Sequence, residues 1–451
     1  MEVKSHARLS MWKMSCPRRR RRFDLGDTHR IRDSVIASVS RLPYQALPSI
    51  RYLAVAVLVL WSVGPQLSPP LLADDSVPGV EVGEEAVGNV AVRTVQIEFK
   101  QGEASVSTVG EVQREYADGS LLLLTPDGQL WTLLHDEIQS IHDIDEPMQA
   151  ATSKEIYEQF KEQLPPGFSV HKTRHYVMVY NTSPAYVQWA GELFEGQYSR
   201  FYNYWKSHGI KLDEPRFPLV ALVFSDKASY SRYATHEIGQ SAESMIGYYN
   251  MKTNRMVSYD LTGVDGSVPN GRRVTRTQIV KQVLAQPQAE RTVSTIVHEA
   301  VHQLAFNSGL QVRLAANPLW VCEGLAMFFE TTDIGNTRGW GAIGKVNYHN
   351  YVMFGKYLPS RKPASLPELI SDDSKFRDSA TASQAYPESW ALTYFLMMTR
   401  NKDFVAYMKS MQQLPPLGET SPRERIDLFK QHFGELGELD QDFLRYVTRL
   451  R

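Results

Sequence analysis

The sequence predicts an α+β protein, with a small antiparallel β-domain ahead of a larger unit that mixes strands and helices. Three observations carry this. Apolar and polar residues alternate between Asp-Gly turns over 90–147; strand-like runs and a hairpin signature follow; and beyond residue 287 the apolar spacing is almost wholly helical.

In chain order, the first 51 residues carry 12 Lys+Arg against 4 Asp+Glu, whereas the chain from Asp74 onward carries 37 against 46. A net-acidic body does not attract phosphate backbone, which argues against nucleic-acid binding as the main role. Leu53–Val63 is an uninterrupted run, LAVAVLVLWSV, behind the basic stretch and ahead of Gly64 and Pro65. It is too short for a bilayer, which takes about 20 residues. It fits the apolar core of a secretory signal, with Leu71-Leu72-Ala73 as the cleavage site, although the basic region before it is unusually long. Residues 1–73 are thus expected to be a targeting segment and the protein to be exported (periplasmic, envelope or secreted), with a retained N-terminal anchor as the alternative. Of the two cysteines, Cys16 and Cys322, only the second survives such cleavage, so no disulfide can form within the mature chain.

Residues 74–89 read as an acidic linker. In 90–147, Val95, Ile97 and Phe99 alternate with polar residues, and Leu121–Leu124 and Leu130–Leu134 form further apolar runs. Gln101-Gly102, Asp118-Gly119 and Asp127-Gly128 supply turns between them. A meander or a barrel satisfies this pattern, with Trp131 as a core aromatic. The second unit, 154–451, opens with a helix over 154–163 and a strand around Val177 and Val179. A long helix follows from Pro184 to Trp205, with Leu193, Tyr198, Phe201, Tyr202 and Trp205 at core spacing. Pro218–Phe224 is a buried strand and a helix starts near Lys227. Met245–Asn250 and Arg255–Tyr259 flank a Met-Lys-Thr-Asn turn. Late helices are expected at about 383–413 and 422–449.

The chemistry concentrates in Ser294–Leu304, where Val293, Ile296, Val297, Ala300, Val301 and Leu304 mark a helix with one core face. Residues i and i+4 stack on a helix, so His298 and His302 present two imidazoles to one cation, and Glu299 sits about 100° round, placed to address a water. Chance alone puts such a pattern in roughly 2% of chains of this composition, so a third ligand matters. Asn317-Pro318 opens a second helix as cap and first residue, and Glu323 falls on its second turn. Two imidazoles and one carboxylate leave a coordination position free, the ligand set of a catalytic rather than a structural metal site. Cys322, about 100° away on that helix, reads as a buried small hydrophobe.

HExxH followed about twenty residues later by Trp320-Val-Cys-Glu323-Gly324-Leu-Ala326 resembles the gluzincins, the thermolysin-like and aminopeptidase-like zinc metalloproteases. It is most similar to an uncharacterised bacterial branch of the peptidase MA-like superfamily, in which a Gly-Tyr-Tyr hairpin precedes the zinc helix, here Gly247-Tyr248-Tyr249-Asn250. The likeness spans roughly 170–410. It implies a zincin-like catalytic domain, Zn²⁺ held by His298, His302 and Glu323, and Glu299 as general base. It also implies a peptide or protein substrate lying along Tyr248, Tyr249, Arg255 and Val257, with the strand at Arg255–Asp260 as the cleft edge. Thermolysin has an acidic residue behind its metal ligands four positions after the ligand glutamate; Met327 stands there in this chain. Glu330, on the same helix face, is the candidate to orient a ligand histidine, unless it is merely solvated. Tyr386 is the first candidate oxyanion donor, with Tyr248, Tyr249 and His349 in reserve; a core or capping role is its alternative. The sequence leaves two other functions open, an envelope scaffold with a structural or vestigial metal site and an amidase acting on cell-wall peptides, and it leaves open an envelope-associated partner through the β-domain.

Overall fold

The computed structural model describes residues 93–262, 287–331 and 343–450. The expected targeting segment, its cleavage site, the linker and Cys16 lie outside these residues. The architecture is mixed α+β: an N-terminal antiparallel sheet, then a second sheet and a largely helical remainder.

Strands β1 (Arg93–Gln101), β2 (Ala104–Glu115), β3 (Leu121–Leu124), β4 (Leu130–Leu133) and β5 (Ile138–Ile144) form one sheet in the order β4-β3-β2-β1-β5. Every pairing is antiparallel. Gly102, Gly119 and Gly128 hold φ of 62°, 82° and 81°, the backbone that the tight turns demand. Among the described residues β4 and β5 do not pair, so this is a meander with a returning strand, not a closed barrel. Val95, Ile97, Phe99 and Leu123 form its inner core, on which Trp131 packs, 5.2 Å from Phe99 between ring centres. Leu122, Leu124 and Leu130 point the other way, against Phe217 of the second unit. With both faces covered, the four-leucine run needs no alternation.

The second sheet follows α1 (Ser153–Gln163) and contains β6 (Ser169–Lys172), β7 (Tyr176–Tyr180), β8 (Leu219–Phe224), β9 (Gly247–Asn250) and β10 (Arg255–Tyr259), ordered β6-β7-β8-β10-β9. The crossover from β7 to β8 is α2 (Pro184–Ser207), capped by Ser183, and α3 (Lys227–Ile238), capped by Asp226, follows β8. Side chains alternate across the strands. Tyr176, Met178, Ala221, Val223 and Met256 meet α2 and α4 (Pro287–Asn307), while Val177, Val179, Leu222 and Val257 meet α1 and α3. The edge strand beside α4 is β9. The expectation that Arg255–Asp260 forms the cleft edge is therefore corrected: β10 is hydrogen-bonded to β8 on one side and β9 on the other, leaving Arg255 and Val257 no free backbone for a peptide.

Helices α5 (Leu319–Phe329), α6 (Tyr348–Tyr357), α7 (Ser365–Ser371), α8 (Ser374–Arg377), α9 (Ser379–Thr399), α10 (Asn401–Met411), α11 (Pro422–Phe433) and α12 (Leu436–Val447) complete the unit. The two expected late helices are four. Arg400 leaves the helical region (φ −133°, ψ 41°) between α9 and α10, and Gly434, at φ 83°, separates α11 from α12. No helix among the described residues is long and apolar enough to cross a membrane.

Candidate metal centre

Helix α4 is buried nearly all round, because α2, α5 and the hairpin β9–β10 pack on different sides of it. Gln303 fixes its rotation, donating to the carbonyls of Val220 (3.0 Å) and Asn254 (3.1 Å). His298, Glu299 and His302 are each at most 1% exposed. Helix α5 begins one residue later than expected, with Pro318 rather than Asn317 in the N-cap position, and is capped differently. Asn317 turns back to the carbonyl of Val312 (2.7 Å), and the Leu319 N–H is accepted instead by Asp373 at 2.9 Å, itself paired with Arg425 at 3.0 Å. Glu323 thereby faces α4 and is also 1% exposed.

One ligand atom each from His298, His302 and Glu323 lies within 4.8 Å of the others. His298 Nε2 is 3.2 Å from Glu323 Oε2, and His302 Nε2 is 3.8 Å from Glu323 Oε1. The last two atoms are buried without a hydrogen-bond partner. Such an orphan costs about 1–3 kcal/mol, and a cation between them would satisfy both, so the three residues could hold a metal ion. Burial lowers the His302 pKa well below its ordinary value, with the neighbouring His298 adding to it, which keeps this imidazole neutral and its lone pair available. Burial also opposes charge on His298, but the carboxylates of Glu323 and Glu330 outweigh it and raise its pKa.

Glu330, just beyond α5, approaches His298 Nδ1 to 2.5 Å. An Nδ1–H donated to this carboxylate fixes the ring so that Nε2 faces the cluster, where a bound cation would displace its proton. Glu330 is held in turn by Asn347, whose Nδ2 donates to Glu330 Oε1 at 2.9 Å. Replacing Glu330 by glutamine removes the charge and keeps the shape. It is expected to weaken metal affinity by about 10–100-fold in a competition titration; an unchanged affinity would make Glu330 a bystander.

Glu299 follows His298 on α4 and is not one of the three clustered residues. Its Oε2 accepts the backbone N–H of Tyr249 at 2.8 Å and its Oε1 has no partner. Burial raises its pKa to about 8, with His298 and the Tyr249 N–H pulling down and Glu323 pushing up. Sequence reasoning missed the Tyr249 N–H, since a backbone donor leaves no residue signature. It also missed Asp373 and Asn347, whose roles depend on contacts distant in the chain.

Of the other expected site residues, Tyr386 lies inside α9, one residue before Pro387, rather than ahead of the helix. Its phenol is raised well above its ordinary pKa by burial and then by the charges of Glu323 and Glu299, which keeps it protonated. Tyr248 and Tyr249 sit on the edge strand, but their side chains are core: the Tyr248 hydroxyl donates to Glu237 (2.9 Å) and that of Tyr249 to Asn254 (2.8 Å). Only their backbone can border a cleft. His349 is exposed on α6. Cys322 is buried, accepts from Gln311 Nε2 at 3.3 Å and takes no part in the cluster.

The family described as "Protein of unknown function (DUF1570)" matches residues 292–418. The match takes in His298, Glu299, His302, Glu323, Glu330 and Tyr386, and leaves the β-domain outside. No curated protein matches the chain.

Proposed function

We propose that this chain is an exported, zinc-dependent peptidase of gluzincin type. The observation that carries the reading is the convergence of His298, His302 and Glu323 with Glu299 next to His298 on α4, outside the ligand set and with one oxygen unpartnered. Three protein ligands leave room for a fourth from water or substrate. A divalent ion in this position supplies Lewis-acid polarisation of a carbonyl and acidifies water. Glu299 then takes up the proton of the attacking water and passes it to the departing amine, with Tyr249 N–H fixing the carboxylate's orientation. Tyr386 donates a hydrogen bond from its hydroxyl to the oxygen on which negative charge develops. Zinc suits two imidazoles and one carboxylate, and the apolar run Leu53–Val63 supports export.

The purified full chain is expected to contain one equivalent of zinc and to cleave a mixed-peptide library. Cleavage should cease with a chelator and return with added Zn²⁺. A chain that binds no divalent ion, or cleaves identically without one, rules the reading out. The near-complete burial of all four side chains favours one other reading, a structural metal site in an envelope scaffold; such a chain would retain its ion and cleave nothing.

A further inference from the structure

Among the described residues, three non-glycine residues hold positive φ: Asn254 (59°), Leu314 (58°) and Leu417 (54°). For leucine this backbone is strained and persists only where its surroundings impose it. All three lie where the β-domain meets the second unit. Leu314 and Leu417 pack on Leu122, Leu124 and Leu130, and are joined by a Leu417 N–H to Leu314 carbonyl bond of 2.8 Å. Asn254 Nδ2 sits 3.1 Å from where a Cβ on Gly128 would stand.

The same contact carries polar ties. Arg313, half-buried, donates through one nitrogen to the carbonyls of Gly128 (2.8 Å) and Met251 (3.2 Å). Leu130 N–H donates to the Lys252 carbonyl at 2.8 Å, and Asp127 lies 3.6 Å from Arg255. What these ties hold matters for the site. Residues 308–318, including Arg313 and Leu314, connect α4 to α5, the two helices that carry the ligands. Met251–Asn254 is the tip of the hairpin whose Tyr249 N–H holds Glu299, and Asn254 is bonded to Asn307 at the end of α4 (2.7 and 2.8 Å).

We propose that the β-domain is a positioning element for the metal site. Its Asp127–Gly128 turn and leucine face clamp, through Arg313, the connector between the ligand helices and the hairpin that orients Glu299. Arg313 is the central positioning residue. The inference rests on the metal reading above, not on peptide hydrolysis.

The test titrates the full chain with Zn²⁺ against a chromogenic chelator. Arg313→Met keeps the bulk and removes both donated bonds. Gly128→Ala, at φ 81° with its Cβ 3.1 Å from both Asn254 Nδ2 and Phe217 Cγ, pushes the turn away without touching the ligand helices. Each is expected to weaken zinc binding at least tenfold, with Arg313→Lys recovering part of the loss. Leu439→Ala, in the α12 core, provides a control that lowers the melting temperature without touching the clamp; its affinity should stay within twofold. Unchanged affinity in both clamp variants, or an equal loss in the control, overturns the proposal. A wild-type chain that binds no zinc overturns it together with the metal reading. If zinc binding follows the expected pattern but nothing is cleaved, the hydrolase reading alone falls and the positioning role stands.

Discussion

Replacing Glu299 by glutamine is expected to leave the zinc content unchanged while slowing peptide hydrolysis by on the order of 10³-fold. The separation follows from the geometry. His298, His302 and Glu323 make up the ligand cluster, and Glu299 is outside it, so the ion keeps all its protein ligands. The glutamine carbonyl oxygen can still accept the Tyr249 N–H, so the hairpin and helix stay tied. What is lost is proton uptake, because an amide cannot serve as a base near neutral pH. Parallel measurements of zinc content and initial cleavage rate decide the matter. Loss of the ion would make Glu299 a ligand. Full retention of cleavage would remove it from the chemistry. An amidase acting on cell-wall peptides would behave identically with its own substrate, so the same variant assayed on isolated envelope peptides identifies which bond is cut.

The parts of this site that were legible in the sequence are those set by local periodicity. His298 and His302 share a face because a helix turns 100° per residue, and Gly102, Gly119 and Gly128 mark turns because few other residues adopt positive φ cheaply. Tertiary relations were not legible. A hairpin sequence does not say which of its strands pairs onward, and the resemblance points to β10 as the cleft edge although β9 occupies that edge. The cap of α5 comes from Asp373, 54 residues beyond Leu319, while the locally plausible Asn317 turns backward. The break at Gly434 has a glycine to announce it; the one at Arg400 has no such residue. The strained leucines at 314 and 417 are ordinary apolar residues in sequence, and only the packing against the β-domain reveals why their backbone is held as it is.

Gly324 shows how far packing can reverse a local preference. In an exposed helix interior, alanine is favoured over glycine by about 1 kcal/mol, so Gly324→Ala would be stabilising on propensity alone. Here the opposite is expected. A Cβ at this position would overlap Thr393 Oγ1 and stand 2.8 Å from the Ser389 carbonyl oxygen, both on α9. Thr393 is fully buried, and a backbone carbonyl cannot rotate aside. Helices α5 and α9 must therefore separate, at a cost of about 1–3 kcal/mol for an overpacked core, or a fall in melting temperature of roughly 2–5 °C for a unit of this size. The displaced helix carries Glu323 as the adjoining residue, so zinc affinity should fall by more than tenfold alongside. Adding Thr393→Ala removes the Oγ1 overlap but leaves the residue's own Cβ at 2.9 Å and the carbonyl contact, so the double variant should recover only part of both losses. Thermal scans with and without Zn²⁺ measure both effects. A Gly324→Ala chain as stable as wild type and equally tight for zinc would show that α5 can shift without moving Glu323, and the tight α5–α9 contact would then have no part in building the site.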